Sequence, residues 1–454
     1  MSRTAPSRFV VHPGRALSGV VRPPGDKSIT HRAYILGALA EGETIVEGGN
    51  PGADCESTLS CLEALGVEVR REPSRVVLRG RAMRFDEPDH VLDCGNSGTT
   101  LRLLSGPLAA QSFRSSLAGD ASLNRRPVDR VIEPLRQMGA RLSAREGDRL
   151  PPLEIEGGPL RAIEYRVESK SAQVASCVLL AGLFAEGRTT VIIEGARDHT
   201  QRMLPAFGAE VDAHELDDAL VPPFTVMGPA KLRGTHLQVP GDFSAGAFFL
   251  VAAAATPRAS VTVESVSLNP TRAGLLHALR EMGAQIAVEE AGSEAGEPIG
   301  NITVTGPERL EPLNGWTPGQ WSQRMPSMID EIPALAVAAA RARGLTRISG
   351  AAELRVKESD RIAALATNLR RLGVEVEENP DGLAIHGGRI RGGTVDAEGD
   401  HRIAMAFAVA GLLAEGAVTV KGAREIATSF PGFVATLRDL GAEVEVLEED
   451  ALAR

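Results

Sequence analysis

LEALGVEV (62–69), LRQMGARL (135–142), LPAFGAEV (204–211), LREMGAQI (279–286), LRRLGVEV (369–376) and LRDLGAEV (437–444) are six versions of one phrase. In each, an apolar helical stretch stops at a glycine and alternating apolar residues follow, the pattern of a helix C-terminus turning into a strand. Each phrase closes a longer unit that opens with a short polar motif. An Ala/Leu-rich helix, a Gly turn, a β-branched strand and a second helix follow. The first helices are expected to begin near Lys27, Asn96, Ser171, Asp242, Asp330 and His401, a period of roughly 70 to 90 residues.

Five units close with a further strand candidate, at 75–80, 153–157, 224–228, 302–306 and 383–387. The sixth lacks one, and the extended stretch 9–22 is placed to supply it. The N-terminus then belongs with units four to six, and the chain passes between domains at 23–25 and again at 240–241, both Pro-Gly hinges. The expected division is one domain of 1–24 plus 241–454 and another of 25–240, each built of three βαβαββ repeats in the α/β class. A chain of 454 residues exceeds what one core usually organises, so two domains are also the expectation from length.

Hydrophobic residues make up 43% of the chain but aromatics only 4%, so the core must be built from small aliphatic side chains and closely packed helices. Cys55, Cys61, Cys94 and Cys177 form no CxxC pair and do not cluster with His. That pattern argues against a zinc site or a disulfide framework, and a reducing cytoplasm is the expected compartment. No apolar signal core opens the chain and no run is long enough to span a bilayer, so no membrane partner is expected. A net charge of −10 disfavours a broad nucleic-acid surface but leaves room for a local basic pocket.

Repeats alone would suit a solenoid or a ring-shaped clamp. Scaffold repeats, however, carry similar residues at equivalent positions, whereas the six helix starts here differ: GDKSITHR (25–32), GNSGTTLR (95–102), SKSAQ (169–173), GDFSAG (241–246), DEIP (330–333) and DHRIAM (400–405). The N–H groups and positive dipole end of a helix favour an anion by about 0.3–2 kcal/mol. Six such starts aimed at one cleft would hold a strongly anionic ligand. Lys27, Ser28 and Arg32 lie within two turns, with Ser28 and Arg32 on one helical face. Asn96, Ser97 and Gly98 allow close backbone approach to an anion. In LRVKESDR (354–361), Lys357 and Arg361 stand one turn apart, either as an anion grip or as a salt-bridge stripe with Glu358 and Asp360. Capping accounts for Asp400 but not for Arg402 in an otherwise apolar helix.

Taken in order, GDKSITHR, GNSGT, SAQ (171–173), RDHT (197–200), LRVKESDR and DHRIAMAF (400–407) resemble the 3-phosphoshikimate 1-carboxyvinyltransferase family over about residues 25–431. The resemblance implies two similar domains, each an inside-out α/β barrel of three βαβαββ repeats. It implies transfer of an enolpyruvyl group from phosphoenolpyruvate to the 5-hydroxyl of shikimate 3-phosphate, with no metal or cofactor, in a monomer. By resemblance Lys27, Ser28, Arg32, Ser171, Ala172, Gln173, Arg197, Asp330 and Lys357 hold shikimate 3-phosphate. Lys27, Asn96, Gly98, Arg126, Gln173, Arg361 and Arg402 hold phosphoenolpyruvate, with Lys357 beside them. The repeat 1–3 domain is thus the shikimate 3-phosphate side and the repeat 4–6 domain the phosphoenolpyruvate side. The family is also the target of glyphosate, which takes the phosphoenolpyruvate site, and some insensitive relatives carry Ala at the position of Gly98. Glu353 and Thr428 replace an Asn and a Lys that many members carry, so those two contacts do not transfer.

The reaction needs a base and an acid together. Asp330 is the expected base, with an N-cap as its alternative role. Lys27 and Glu358 are the proton carriers, in an order that the residues leave open. The related transferase acting on a UDP-amino sugar uses a loop cysteine, and 121–127 (ASLNRRP) has none. A DNA clamp would spread Lys and Arg over helix faces instead of gathering them at helix starts.

Overall fold

The computed structural model describes residues 7–14, 17–168, 170–213 and 223–447. Positions 15 and 16 of the N-terminal stretch and Ser169 of SKSAQ lie outside the described residues. The chain forms two compact units. One comprises Met1–Pro24, Gly241–Gly292 and Pro298–Arg454; the other comprises Gly25–Pro240 together with Ser293–Glu297. Each has its own apolar core.

In the Gly25–Pro240 unit the first helices of the repeats are Lys27–Leu39, Gly98–Ala109 and Ala172–Gly182. The second helices are Ala53–Ala64, Asp129–Gln137 and the short His199–Met203. Each repeat contributes a four-stranded sheet with one recurring pattern. In the first, Glu43–Glu47 pairs antiparallel with Arg75–Arg79, which pairs antiparallel with Glu68–Arg71. The parallel edge strand is His236–Gln238, from the far end of the unit's sequence. Leu92–Asp93 and Glu164–Arg166 are the parallel edges of the other two sheets.

The other unit repeats the plan with first helices Phe243–Ala254, Ile332–Arg341 and His401–Leu413. Its first sheet takes Ser18–Val21 as the parallel edge beside Ser260–Ser267. In its last sheet Arg8–Val11 lies between Val418–Lys421 and Val444–Leu447, antiparallel to both, which is the strand the sixth repeat lacks. The middle sheet has three strands, Gly344–Ile348, Gly382–Gly387 and Glu375–Asn379. Its Gly344–Ile348 edge is covered by the segment around Pro312: Leu313 N donates to Thr346 Oγ1 at 3.0 Å and Arg343 N to Leu310 O at 3.4 Å. A proline suits a sheet edge, since it has no N–H to leave unpaired. Trp316 and Trp321 anchor that segment, edge to face at 4.7 Å, with Arg324 4.8 Å over the Trp316 ring.

Helices inside and sheets outside follow from the sequence pattern. Every residue of Phe243–Ala254 is buried, as are 332–340 and 401–412. A helix apolar on all faces has no surface side. The strands alternate instead, as in Glu43–Glu47, where Thr44 and Val46 are buried and Glu43 is exposed. Small residues let the inner helices touch. A Cβ at Gly106 would stand 2.4 Å from the backbone O of Cys177, on the neighbouring helix.

Gly106→Ala should therefore destabilise this unit by about 1–3 kcal/mol, because a backbone carbonyl cannot swing aside. Gly158→Ala, where the added carbon meets nothing within 4 Å, should change stability by no more than about 0.5 kcal/mol. Denaturant unfolding of the two variants tests the difference.

Candidate active site

The Gly25–Pro240 unit gathers its cations at helix starts. Asp26 accepts Ile29 N at 2.9 Å and caps Lys27–Leu39. Lys27 Nζ meets Asp54 Oδ2 at 2.7 Å. Buried Arg32 donates from Nε to Thr200 Oγ1 at 2.7 Å, from Nη1 to Ser28 O at 2.8 Å and from Nη2 to Ser176 Oγ at 2.7 Å. Thr200 in turn donates to Ser176 Oγ at 2.7 Å. Ser28, Arg32, Ser176 and Thr200 are thereby one hydrogen-bonded group drawn from repeats one and three. Arg197 is half-buried, two residues before His199–Met203.

Ser97 caps Gly98–Ala109 by accepting Thr100 N at 3.1 Å. Arg126 donates from Nη1 to Asn96 O at 3.1 Å and from Nη2 to Asn96 Oδ1. Gln173 accepts from Arg102 Nη1 and donates from Nε2 to Thr99 Oγ1, both at 2.9 Å. Ser171 stands at the N-cap of Ala172–Gly182 but makes no side-chain cap hydrogen bond. A methyl at Gly98 would lie 2.6 Å from Arg102 Nη1 and 3.7 Å from Arg126 Nη1. The two arginines thus face one helix start. Asp54, Arg102, Ser176 and Thr200 received no role from the sequence. Arg102 was legible, because it follows Gly98 at the same four-residue spacing that joined Ser28 to Arg32.

A buried polar chain links the two helix starts. His31 Nδ1 lies 2.7 Å from Thr58 Oγ1, which is 2.6 Å from Thr100 Oγ1, which donates to Ser97 Oγ at 2.7 Å. His31 is fully buried, and that burial, then Lys27 and Arg32, hold its pKa well below the ordinary histidine value.

The other unit arranges its charges around Asp330. This residue lies in the turn Ile329–Glu331 and does not cap the helix that follows. Glu331 occupies that N-cap position, and there is no side-chain cap bond. The capping alternative for Asp330 is corrected accordingly: the 3-10 turn Ile329–Glu331 puts Glu331 and not Asp330 at the N-cap position. Asp330 Oδ1 is 3.4 Å from Arg361 Nη1 and 3.9 Å from Lys357 Nζ, and Oδ2 is 3.8 Å from Arg402 Nη2. Arg402 Nη1 also donates to Asp330 O at 3.1 Å.

Arg361 is the hub. Its Nε meets Asp400 Oδ2 at 2.7 Å and its Nη2 meets Glu358 Oε2 at 2.6 Å. Burial alone would lower its pKa, but Asp400, Glu358 and Asp330 outweigh that and raise it. Asp400 does double duty, since it also accepts Arg402 N at 2.9 Å as the cap of His401–Leu413. The side chain of Arg361 is 1% exposed, against 10% for Arg402 and 26% for Lys357. Lys357 is the most exposed of the three, at 3.9 Å from Asp330 and 3.8 Å from Glu353 Oε1, Arg402 is buried and hydrogen-bonded to Asp330 O, and Arg361 is locked among carboxylates. Beneath this group, buried Glu331 accepts from Ser244, which accepts from Arg272 Nη2.

Among the described residues no helix is long and apolar enough to cross a membrane. One group of possible metal ligands, His12, Glu443 and Glu445, includes no residue of either charge cluster, and both glutamates are exposed.

Each unit is an α/β assembly of buried helices with a cluster of arginine and lysine side chains near helix starts. The fold matches that of the enolpyruvyl transferase NikO from Streptomyces tendae, with a TM-score of 0.75 at 18% identity over 97% of this chain and 99% of that one. The family model described as EPSP synthase (3-phosphoshikimate 1-carboxyvinyltransferase) matches residues 11–450. The 3-phosphoshikimate 1-carboxyvinyltransferase of Synechococcus sp. (strain JA-3-3Ab) is 50% identical over 95% of this chain and 96% of its own. That of Geobacillus kaustophilus (strain HTA426) is 47% identical over 94% and 98%. A solved EPSP synthase structure from Acinetobacter baumannii is 42% identical, with a TM-score of 0.84 over 97% of this chain and 100% of that one. The chain belongs to the EPSP synthase family.

The neutral state of His31 has a consequence for stability. Its folded pKa lies below its unfolded value of about 6.5, so the unfolded chain takes up the proton first as pH falls. The stability it contributes is complete above about pH 6.5 and is lost progressively below, by at most about 1.4 kcal/mol per pH unit. Urea unfolding at pH 7.5 and 5.5 should show a smaller acid loss in His31→Gln than in the parent chain.

Proposed function

We infer that this chain transfers the enolpyruvyl group of phosphoenolpyruvate to the 5-hydroxyl of shikimate 3-phosphate and releases phosphate, the EPSP synthase step of the shikimate pathway. Ser28, Arg32, Ser171, Ala172, Gln173, Arg197 and Lys357 hold shikimate 3-phosphate, with Lys27 and Asp330 at its reacting side. Lys27, Asn96, Gly98, Arg126, Gln173, Arg361 and Arg402 hold phosphoenolpyruvate. Arg361 sets the positions of Asp330, Glu358 and Asp400. Arginine suits this work because its planar fork meets a carboxylate or phosphate through two parallel bonds. The Gly25–Pro240 unit is the shikimate 3-phosphate side and the other unit the phosphoenolpyruvate side. A monomer in the cytoplasm, with no nucleic-acid partner, completes the reading.

The observation that carries the mechanism is the Asp330 carboxylate, engaged by three cations and not needed as a cap. Asp330 takes the proton of the 5-hydroxyl as that oxygen bonds to C2, and a proton added to C3 makes it a methyl. In the second step C3 gives up a proton, the C2–O bond to phosphate breaks, and the vinyl ether forms. Lys27 and Glu358 carry the protons at C3 and at the leaving oxygen. The surrounding cations stabilise the negative charge of the adduct.

Phosphate release should be rapid with shikimate 3-phosphate and absent with a UDP-amino sugar as acceptor; the reverse result would remove this function. In the same assay Asp330→Asn should lower kcat by about 10² or more while leaving KM for both substrates near the parent values. A near-normal kcat would take Asp330 out of the proton transfer.

Glyphosate, longer than phosphoenolpyruvate, should inhibit competitively against it. Gly98→Ala places a methyl 2.6 Å from Arg102 Nη1, whose guanidinium also binds Gln173 and Pro127 O, so room for it must come from the space that a longer ligand needs. The inhibition constant for glyphosate should therefore rise by a larger factor than KM for phosphoenolpyruvate. Equal factors would mean that the whole site is disturbed.

A further inference from the structure

The helix His199–Met203 has five residues and no side-chain N-cap bond. Too short to be stable alone, it depends on what anchors it, yet it carries Thr200, which holds Arg32 Nε, and it follows directly on Arg197 and Asp198. Besides Thr200, which ties it to Arg32 and Ser176, two of its residues are held from one short segment. His199 Nδ1 lies 2.6 Å from Glu297 Oε1, with both side chains fully buried. Arg202 Nη1 reaches Gly296 O at 3.4 Å, while Arg202 Nε is held by Asp198 at 2.8 Å. Gly296 has φ +80, and a Cβ there would stand 2.5 Å from the backbone O of Arg202. Both residues belong to Ser293–Glu297, which counts with this unit although the sequence on either side of it, through Gly292 and from Pro298, counts with the other.

We propose that Ser293–Glu297 is a positioning element for the shikimate 3-phosphate site, with Glu297 and Gly296 seating the His199–Met203 helix so that Arg197 and the Thr200–Arg32 pair meet the substrate. Burying a carboxylate and an imidazole with no exposure is costly unless the pair is well made, and a solvent-exposed pair would serve mere packing as well. The glycine is required twice, by its left-handed backbone and by the carbonyl it approaches. Glu297 touches no substrate in this account. It acts through His199, so a shift of a few tenths of an ångström in the helix should appear as weaker binding of one substrate and not as slower chemistry.

The inference rests on the assignment of Arg197 and Arg32 to shikimate 3-phosphate, and the test separates the two. Glu297→Gln and Gly296→Ala are purified beside Arg197→Ala, their folding is followed by thermal unfolding, and KM for each substrate and kcat are measured. The expected result is a rise of about tenfold in KM for shikimate 3-phosphate, with KM for phosphoenolpyruvate and kcat changed less than about twofold. If Glu297→Gln fails to fold, Gly296→Ala, which keeps the buried pair, is judged by the same ratio. Folded variants with unchanged KM for shikimate 3-phosphate, or with both KM values raised equally, overturn the positioning role. If Arg197→Ala also leaves that KM unchanged, the substrate assignment itself falls. If it alone raises KM, only the role of Ser293–Glu297 is lost.

Discussion

A helix buried on all its faces can carry charge only at its ends, and the rest of this structure depends on that restriction. Phe243–Ala254 and His401–Leu413 have no exposed flank on which a Lys or Glu could sit, so charge and hydrogen-bonding capacity collect at the first turn. There the N–H groups need acceptors and the dipole favours anions. Four of the six first helices meet the need from within, through Asp26, Ser97, Asp242 and Asp400. The starts at Ala172 and Ile332 have no side-chain cap bond. Those two are followed or preceded by residues given to substrate, Gln173 and Asp330.

Cations brought to such a place must be kept in order before the ligand arrives. In the Gly25–Pro240 unit this is done with neutral oxygens, as at Arg32, and with one carboxylate, Asp54, on Lys27. Around Asp330 it is done with opposite charges: Asp330, Glu353, Glu358 and Asp400 against Lys357, Arg361 and Arg402. The two solutions have different uses. Neutral oxygens leave a guanidinium its full charge for an incoming anion. A cluster of opposite charges holds its central arginine, Arg361, rigidly among carboxylates. Breaking the inner pairs would be expensive, because removing one partner leaves an uncompensated buried charge at a cost of about 3–5 kcal/mol.

Much of this was legible in the chain. The repeated LGAxV phrase located the ends of five second helices and, in the third repeat, the 3-10 turn Leu204–Phe207 that follows His199–Met203, and the polar motifs located the first helices to within two residues, as at Asn96 against Gly98 and Asp330 against Ile332. The strand missing from the sixth repeat was readable because five closing strands set the pattern. Harder to see were Asp54, Ser176, Thr200 and Glu297, since a single carboxylate or hydroxyl in a helix or strand looks the same whether it faces solvent or a buried partner. The segment around Pro312 was opaque for a related reason, because covering a sheet edge requires no periodicity.

By itself the sequence determined the period, the order of helices and strands, and the residue types at each helix start. These depend on local matters: where apolar residues recur, where glycine permits a turn, and where a polar run interrupts. Only the tertiary structure decided which polar residues meet. Arg32 joins Thr200 across 168 positions, Arg361 joins Asp400 across 39 and His199 joins Glu297 across 98. Such pairs leave no periodic trace, because hydrogen bonds and ion pairs act over about 3 Å in space and nothing in that range constrains the separation along the chain.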